Sequence, residues 1–158
     1  MTNDKCAKKV RAALQSYADR GVFRGFSEAK TRTGKIGFTF LWQTPRPLEF
    51  VADTNKDTLA FKNLLPDVPS GSAMHAELRR FLEGLHDRRL PKHRRIDRAR
   101  AEVVCNNRRG NLSISLKVKN NQYAYGVNKL VNLAHELFVH LNDCHADYMS
   151  ETFGLSQE

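Results

Sequence analysis

The amino-acid sequence predicts an α+β fold class: a two-layer αβ-sandwich in which three hairpins form one antiparallel sheet and three helices cover it. Two observations support this prediction. Six short segments alternate apolar and polar residues and fall into pairs joined by turn residues, whereas three longer segments repeat apolar residues at helical spacing. Their order along the chain is α-ββ-ββ-α-ββ-α, and strands joined by tight turns pair antiparallel.

The chain begins with a predicted helix and a predicted hairpin. The segment from Thr2 to Arg20 has an amphipathic helical pattern and is followed by Gly21, a residue that commonly ends helices. Its apolar stripe consists of Ala7, Val10, Ala13, Leu14 and Tyr17. Residues 22–32 and 35–43 then form two strands around a turn at Thr33 and Gly34. The second strand places on one face Ile36, Phe38, Phe40 and Trp42.

A second hairpin and a second helix follow. Leu48, Phe50 and Ala52 alternate up to the polar stretch 53–57, and the alternation resumes at Leu59 and Phe61. Prolines and glycine in the stretch 66–71 break the strand pattern. The helical stripe that comes next consists of Met74, Leu78, Phe81, Leu82 and Leu85. We expect this helix to end near residues 90 and 91, a Leu-Pro pair.

The third hairpin shows the clearest alternation in the chain. Its two apolar faces are Ala99, Ala101, Val103 and Cys105 in one strand and Leu112, Ile114, Leu116 and Val118 in the other. A register slip of one residue would expose the second set to water, so the register is well specified. The last helix carries a stripe of Val127, Leu130, Val131, Ala134, Leu137, Phe138 and Leu141. We therefore expect one domain over residues 1–142, with 143–158 as a helix extension or a tail.

Composition favours one globular domain in a reducing compartment. The chain has 158 residues, of which 41% are hydrophobic, and it contains no run of about 20 apolar residues that would span a membrane. Its first residues are polar and lack a signal-peptide core, which predicts a cytoplasmic protein with no membrane partner. Cys6, Cys105 and Cys144 are scattered and odd in number, so they predict neither a disulfide framework nor a zinc ribbon.

No catalytic, cofactor or metal motif is evident in the sequence. His135 and His140 flank a Glu-containing segment, but a zinc protease needs His residues four apart, and a spacing of five turns the second ring by about 140°. Glu136, His140 and Cys144 share a helix side, yet the outer two are about 12 Å apart along the axis. Phosphate-binding glycine loops are also missing. The sequence therefore predicts no catalytic residue, no cofactor, no metal ligand and no small-molecule substrate.

Several segments, taken in order, resemble a known group of proteins. The run 59–69, the helix that contains Leu78 and Phe81, the Leu90-Pro91 pair, the hairpin after it and residues 130–134 resemble in order and spacing the YbjN-like family. Proteins of that family are similar in fold to type III secretion chaperones. The resemblance covers roughly residues 22–141. It implies an αβ-sandwich of the secretion-chaperone kind, frequently dimeric, that binds a protein segment.

The first functional hypothesis is a non-enzymatic protein-binding domain, either chaperone-like or a regulatory adaptor. A two-layer fold with one open sheet face often docks a partner or its own copy, which predicts a homodimer or a protein complex. The residues that we expect at this surface are Phe38, Phe40, Trp42, Ile114 and Leu116.

The alternative hypothesis is binding of the phosphate backbone of nucleic acid through the basic segment 79–109. The formal net charge is +9, and between Arg79 and Arg100 nine Lys or Arg residues stand against three acidic ones. Such a cluster attracts phosphates or acidic partners. The candidate residues are Arg88, Arg89, Lys92, Arg94, Arg95 and Arg98.

Overall fold

The computed structural model describes residues 2–30 and 35–154. Its helices are α1 (Thr2–Asp19), α2 (Ala73–Glu83), α3 (Tyr123–Cys144) and α4 (Ala146–Phe153), and a short 3-10 helix (Gly84–His86) follows α2. The strands are β1 (Arg24–Lys30), β2 (Lys35–Leu41), β3 (Leu48–Asp53), β4 (Thr58–Leu65), β5 (Ala101–Arg108) and β6 (Asn111–Val118). The turn expected at Thr33 and Gly34 lies outside the described residues.

The predicted α+β class with an antiparallel sheet is confirmed. In the described part of the chain, six strands form one open sheet in the order β1-β2-β3-β4-β6-β5, and each neighbouring pair is antiparallel. The third hairpin therefore joins the sheet through β6, which places β5 at the edge.

The helix count differs from the prediction, because the described residues contain four helices rather than three. Residues 146–153, expected to be part of an extension or tail, form α4 and bury Met149 and Phe153 against the core. Helix α2 is also shorter than expected. It ends at Glu83, and Gly84 leads into the 3-10 helix, so the chain reaches residues 90 and 91 without helical structure.

The core lies between the sheet and the helices. Its central cross-strand row joins five residues, one each from β2, β3, β4, β6 and β5: Phe38, Phe50, Phe61, Ile114 and Cys105. The three phenylalanines and Ile114 are almost completely buried. Burying a side chain of this size contributes about 1.5–3 kcal/mol relative to exposure, so this row is a main source of stability.

Three helices pack against this same face. Arg11 of α1 forms an ion pair with Glu28 of β1 at 2.7 Å, and Tyr17 of α1 donates to Asn128 of α3 at 2.9 Å. Helix α3 lies over the middle of the sheet, where Gly126 faces the side chains of Leu59 and Val118.

The opposite face of the sheet lies away from α1, α2 and α3. Its middle is a cross-strand row of small and weakly apolar residues, one from each strand: Ala29, Gly37, Val51, Ala60, Ser115 and Val104. The rows on either side of it are polar. Among the described helices, none combines the length and the apolar character needed to cross a membrane.

Candidate functional site

The middle of the basic segment, which contains all six candidate residues, is an irregular loop of residues 87–100, hereafter the basic loop, between the 3-10 helix and β5. Its middle is fixed by Ile96, which is 1% exposed and whose N–H donates to Leu85 O at 2.8 Å. His86 bridges the loop and the sheet: Val103 N–H donates to its Nε2 at 3.2 Å, so its Nδ1 donates to Ile96 O at 2.9 Å. The loop is therefore held in one conformation although it has no regular secondary structure.

Two side chains of helix α3 form hydrogen bonds to the backbone of the basic loop. Lys129 Nζ donates to the carbonyls of Lys92 and His93 at 2.7 and 3.2 Å. Tyr125 Oη accepts the N–H of Asp97 at 2.8 Å. These contacts come from residues four apart on α3, so one face of the helix holds the whole loop.

A cavity of about 400 Å³ opens within the basic loop. Its lining residues are His86, Arg88, Arg95, Ile96, Asp97, Arg98 and Ala99. Arg95 Nη1 donates to Arg88 O at 3.1 Å, which ties the two sides of the cavity together. Three arginines and one aspartate give the lining an excess of positive charge, and the Asp97 carboxylate accepts the N–H of Ala99 at 3.0 Å.

Of the six sequence-predicted phosphate-binding residues, the structure gathers three around this cavity: Arg88, Arg95 and Arg98. The other three are not among its lining residues. Arg89 pairs with Asp87 at 2.9 Å and Arg94 with Glu136 at 2.9 Å, whereas Lys92 contributes its carbonyl to the contact with α3.

Acidic neighbours neutralise part of the positive charge of the basic loop. Arg98 pairs with Glu102 at 3.2 Å, but both side chains are exposed, at 58% and 42%, so water weakens that pair. Within the described part of the chain, the side chains of Arg88 and Lys92 form no ion pair. The pKa of Lys129 is lowered, first by burial and then by the charges of Arg100 and Arg95, as expected under a cluster of cations.

The aromatic side chain beside the loop is already covered. The guanidinium of Arg100 lies 3.8 Å from the centre of the Tyr125 ring, and Lys129 Nζ lies 5.5 Å from it. Tyr125 therefore offers little free ring surface for stacking on a nucleic-acid base.

The five residues expected at a protein-binding surface lie in or against the core. Phe38 and Phe40 are each 1% exposed, and Ile114 and Leu116 are fully buried. Trp42 is half-buried and stacks between Phe61 and His135. The physical reason is that these alternating positions face the helices rather than the open side, so the four buried side chains cannot contact a partner of the folded domain.

A second cluster joins α2 to the corner between α3 and α4. Glu77 of α2 accepts from two histidines: Nε2 of His140 lies 2.7 Å from its Oε1, and Nε2 of His145 lies 3.0 and 3.1 Å from its two oxygens. These hydrogen bonds lower the pKa of Glu77, His145 contributing most and His140 next. Of the described residues, this group alone brings three metal-ligating side chains together, with ligand atoms within 4.8 Å of one another.

The sequence pattern did not predict this cluster, because His140 finds its carboxylate partner on α2 and not on its own helix. His135 and His140 do point to different neighbours, Gln43 and Glu77, as the spacing of five residues predicts. Glu77 lies 63 residues before His140, and its only signal in the sequence is an acidic residue on the polar side of a short helix.

Comparison with models of protein families, with curated proteins and with solved structures found no match. The resemblance to the YbjN-like family therefore stays a prediction from the sequence.

Proposed function

We propose that this protein binds duplex nucleic acid through its phosphate backbone, with the basic loop as the contact surface. The observation that carries the proposal is the convergence of Arg88, Arg95 and Arg98 around one cavity. Each guanidinium offers donors in a planar fork, which matches the oxygens of a phosphate.

The fixed conformation of the loop supports the proposal. Ile96 anchors it in the core and Lys129 holds its backbone, so little conformational entropy is lost when a ligand binds. The summed charge of the segment also raises the association rate with a polyanion.

The arrangement favours backbone contacts over base recognition. Proteins that bind single strands stack bases on exposed aromatic rings, and Tyr125 beside the loop is covered by Arg100. A duplex presents phosphates on its outside without requiring a ring, so the binding is expected to depend little on base sequence.

The test is a fluorescence-anisotropy titration of a labelled duplex of mixed sequence at several salt concentrations. The logarithm of the binding constant should fall linearly with the logarithm of salt concentration, with a slope of about −0.9 for each phosphate contacted. Replacing Arg88, Arg95 and Arg98 together by Gln should reduce the slope by up to about 2.7 and weaken binding for every sequence.

A charge-matched control separates the loop from net charge. Lys5, Lys8 and Lys9 are exposed on α1, and replacing all three by Gln removes the same charge elsewhere. This control should keep most of the affinity and the salt slope. Equal losses in the two triple variants, or no binding of the unaltered protein at low salt, would refute the proposal.

The uncovered sheet face favours a second candidate, the protein-binding function in the form of self-association. The row through Gly37, Val51, Ala60 and Ser115 has no side chain larger than valine, and its partly exposed members, Ala60 and Ser115, would let a second sheet approach closely. The rows beside it carry three lysines (Lys35, Lys62, Lys117) and three acids (Glu49, Asp53, Glu102). Two copies would therefore meet here without the repulsion that a net charge of +9 causes elsewhere.

Light scattering after size exclusion tests this second candidate. The unaltered protein should elute as a dimer, and Ala60→Arg should convert it to a monomer by placing a charge in the middle of the row. Val22 is 37% exposed and lies outside the strands, so Val22→Arg serves as the control and should stay dimeric. A monomer at all concentrations would eliminate this candidate without affecting the proposal for the basic loop.

A further inference from the structure

Glu77, His140 and His145 form a cluster that the proposed function does not use. They come from three different places in the fold: α2, the last turns of α3 and the residue between α3 and α4. All three ligand atoms lie within 4.8 Å of one another, and both Nε2 atoms approach the same carboxylate oxygen, at 2.7 and 3.0 Å.

We propose that these three side chains bind one zinc ion, with water in the remaining coordination position. Two imidazole nitrogens and one carboxylate oxygen are a donor set that zinc accepts. Four tetrahedral donors at about 2.0–2.1 Å from the ion stand about 3.3 Å from one another. The two separations between Glu77 Oε1 and the Nε2 atoms, 2.7 and 3.0 Å, would lengthen by about 0.6 and 0.3 Å to reach that value, and the two Nε2 atoms already lie within 4.8 Å of each other.

The surrounding structure holds the ligands in place. The His140 ring stacks on Phe81 with ring centres 4.7 Å apart, which fixes its plane. The N–H of His145 donates to Leu141 O at 2.7 Å, which ties this residue to the last turn of α3, and its backbone leaves the helical conformation (φ −135°, ψ 47°). A site whose ligands are positioned before the metal arrives loses less entropy on binding.

Partial exposure determines the kind of site. The side chains of His145, His140 and Glu77 are 20%, 21% and 38% exposed, so solvent reaches the cluster. Three protein ligands leave a position open, unlike the closed four-ligand sites that serve structure alone. The ion would also link α2 to the α3–α4 corner.

The experiment is a zinc titration of the full chain after chelator treatment, followed by calorimetry and by competition with a chromophoric chelator. We expect one ion per chain and a higher unfolding temperature at saturating zinc, because the ion binds the folded state. Cobalt in place of zinc should give the visible absorption of a low-coordinate nitrogen and oxygen site.

Three ligand variants and two controls decide the result. Glu77→Gln, His140→Gln and His145→Gln should each weaken zinc binding by more than the 10–100-fold typical of an outer-sphere partner. His135→Gln on the same helix and Cys144→Ser next to His145 should leave it unchanged. Circular dichroism identifies any variant that fails to fold, and Glu77→Gln keeps the size of the side chain and an accepting oxygen.

Any of the following outcomes would overturn the proposal. One is the absence of stoichiometric zinc binding, which would leave the cluster as a hydrogen-bonded link between helices. Another is binding that survives in folded Glu77→Gln and His145→Gln protein, or that is lost in Cys144→Ser, because the ion would then be held elsewhere.

Discussion

Gly126 occupies the closest approach between α3 and the sheet. A Cβ atom there would lie 2.9 Å from Leu59 Cδ1 and 2.9 Å from Val118 Cγ2, and both of these side chains are buried. Gly84, after α2, has helical backbone angles (φ −64°, ψ −17°) and nothing within 4 Å of its Cβ position. The same added methyl group therefore meets crowded space at one position and open space at the other.

We expect opposite effects from alanine at these two glycines. Gly84→Ala should raise the free energy of unfolding by about 0.4–1 kcal/mol, because it restricts the unfolded chain without strain. Gly126→Ala gains similarly in helix propensity but overpacks the core at a cost of about 1–3 kcal/mol, so a net loss of about 1 kcal/mol is expected. Urea unfolding of both variants measures the difference, and a stabilising Gly126→Ala would contradict the close packing of Gly126 against Leu59 and Val118.

Tyr148 connects α4 to the end of β4 through a hydrogen bond from its hydroxyl group to Pro66 O at 2.5 Å. Burial disfavours the phenolate and raises the pKa of Tyr148 to about 12. The stability that depends on the neutral phenol is fully present below about pH 10, the value in the unfolded chain, and is lost as the pH rises toward 12.

Tyr148→Phe tests this pH dependence. At pH 8 the variant should be less stable by about 1 kcal/mol, the typical contribution of one hydrogen bond. Between pH 10 and 12, its free energy of unfolding should fall less steeply than that of the unaltered protein, so the two curves converge. Urea titrations at several pH values measure both curves, and parallel curves would show that Tyr148 does not ionise differently on folding.

At the scale of single elements, α2 depends on its first turn. Ser72 is the N-cap, and its hydroxyl oxygen accepts the N–H of His75 at 3.1 Å. His75 Nδ1 in turn accepts the N–H of Gly71 at 3.3 Å, which resembles a capping box with His in place of Glu.

Removing this cap should destabilise the domain measurably. Ser72→Ala is expected to lower the free energy of unfolding by about 1 kcal/mol, because one N–H of the first turn loses its acceptor. Ser72→Thr keeps an oxygen at the same place and should retain most of the stability. Chemical denaturation of the three proteins provides the comparison, and equal losses in both variants would show that packing at residue 72 matters more than capping.

Elements whose apolar residues repeat regularly were predictable from the sequence. Elements whose ends or turns depend on contacts with distant parts of the chain were not. Strand β6 alternates strictly from Leu112 to Val118, and its burial follows the same pattern. Helix α2 continues its apolar stripe to Leu85, which remains buried, but the stripe does not reveal that the backbone tightens at Gly84. Helix α4 was missed because its two buried residues, Met149 and Phe153, are too few to give a helical stripe.

The candidate sites were likewise predictable only where they depend on neighbouring residues in the sequence. The positive charge of the basic loop is visible in the sequence, whereas the selection of Arg88, Arg95 and Arg98 depends on how Ile96 and His86 fold the loop. The hydrogen bond between Glu77 and His145 joins residues that are 68 positions apart, so no local sequence pattern predicts it.

Across the whole molecule, charge and strand order together separate the two candidate surfaces. The basic loop leads directly into the edge strand β5, while the electroneutral rows cross the open face of the sheet. A polyanion and a second copy of the chain would therefore contact different parts of the molecule. Strand order was left open by the sequence, because β4 and β6 pair through contacts such as Phe61 with Ile114, far apart along the chain.

The pairing of β4 with β6 also affects how the protein emerges during synthesis. Strands β1 to β4 are translated first, but the partner of β4 and the helix that covers the sheet come from residues 111–144. Helix α1, which precedes these strands, likewise gains the hydrogen bond from Tyr17 to Asn128 only after α3 has been translated. We expect nascent chains stalled before β6 to remain sensitive to protease, so the native fold forms only when this late segment has left the ribosome.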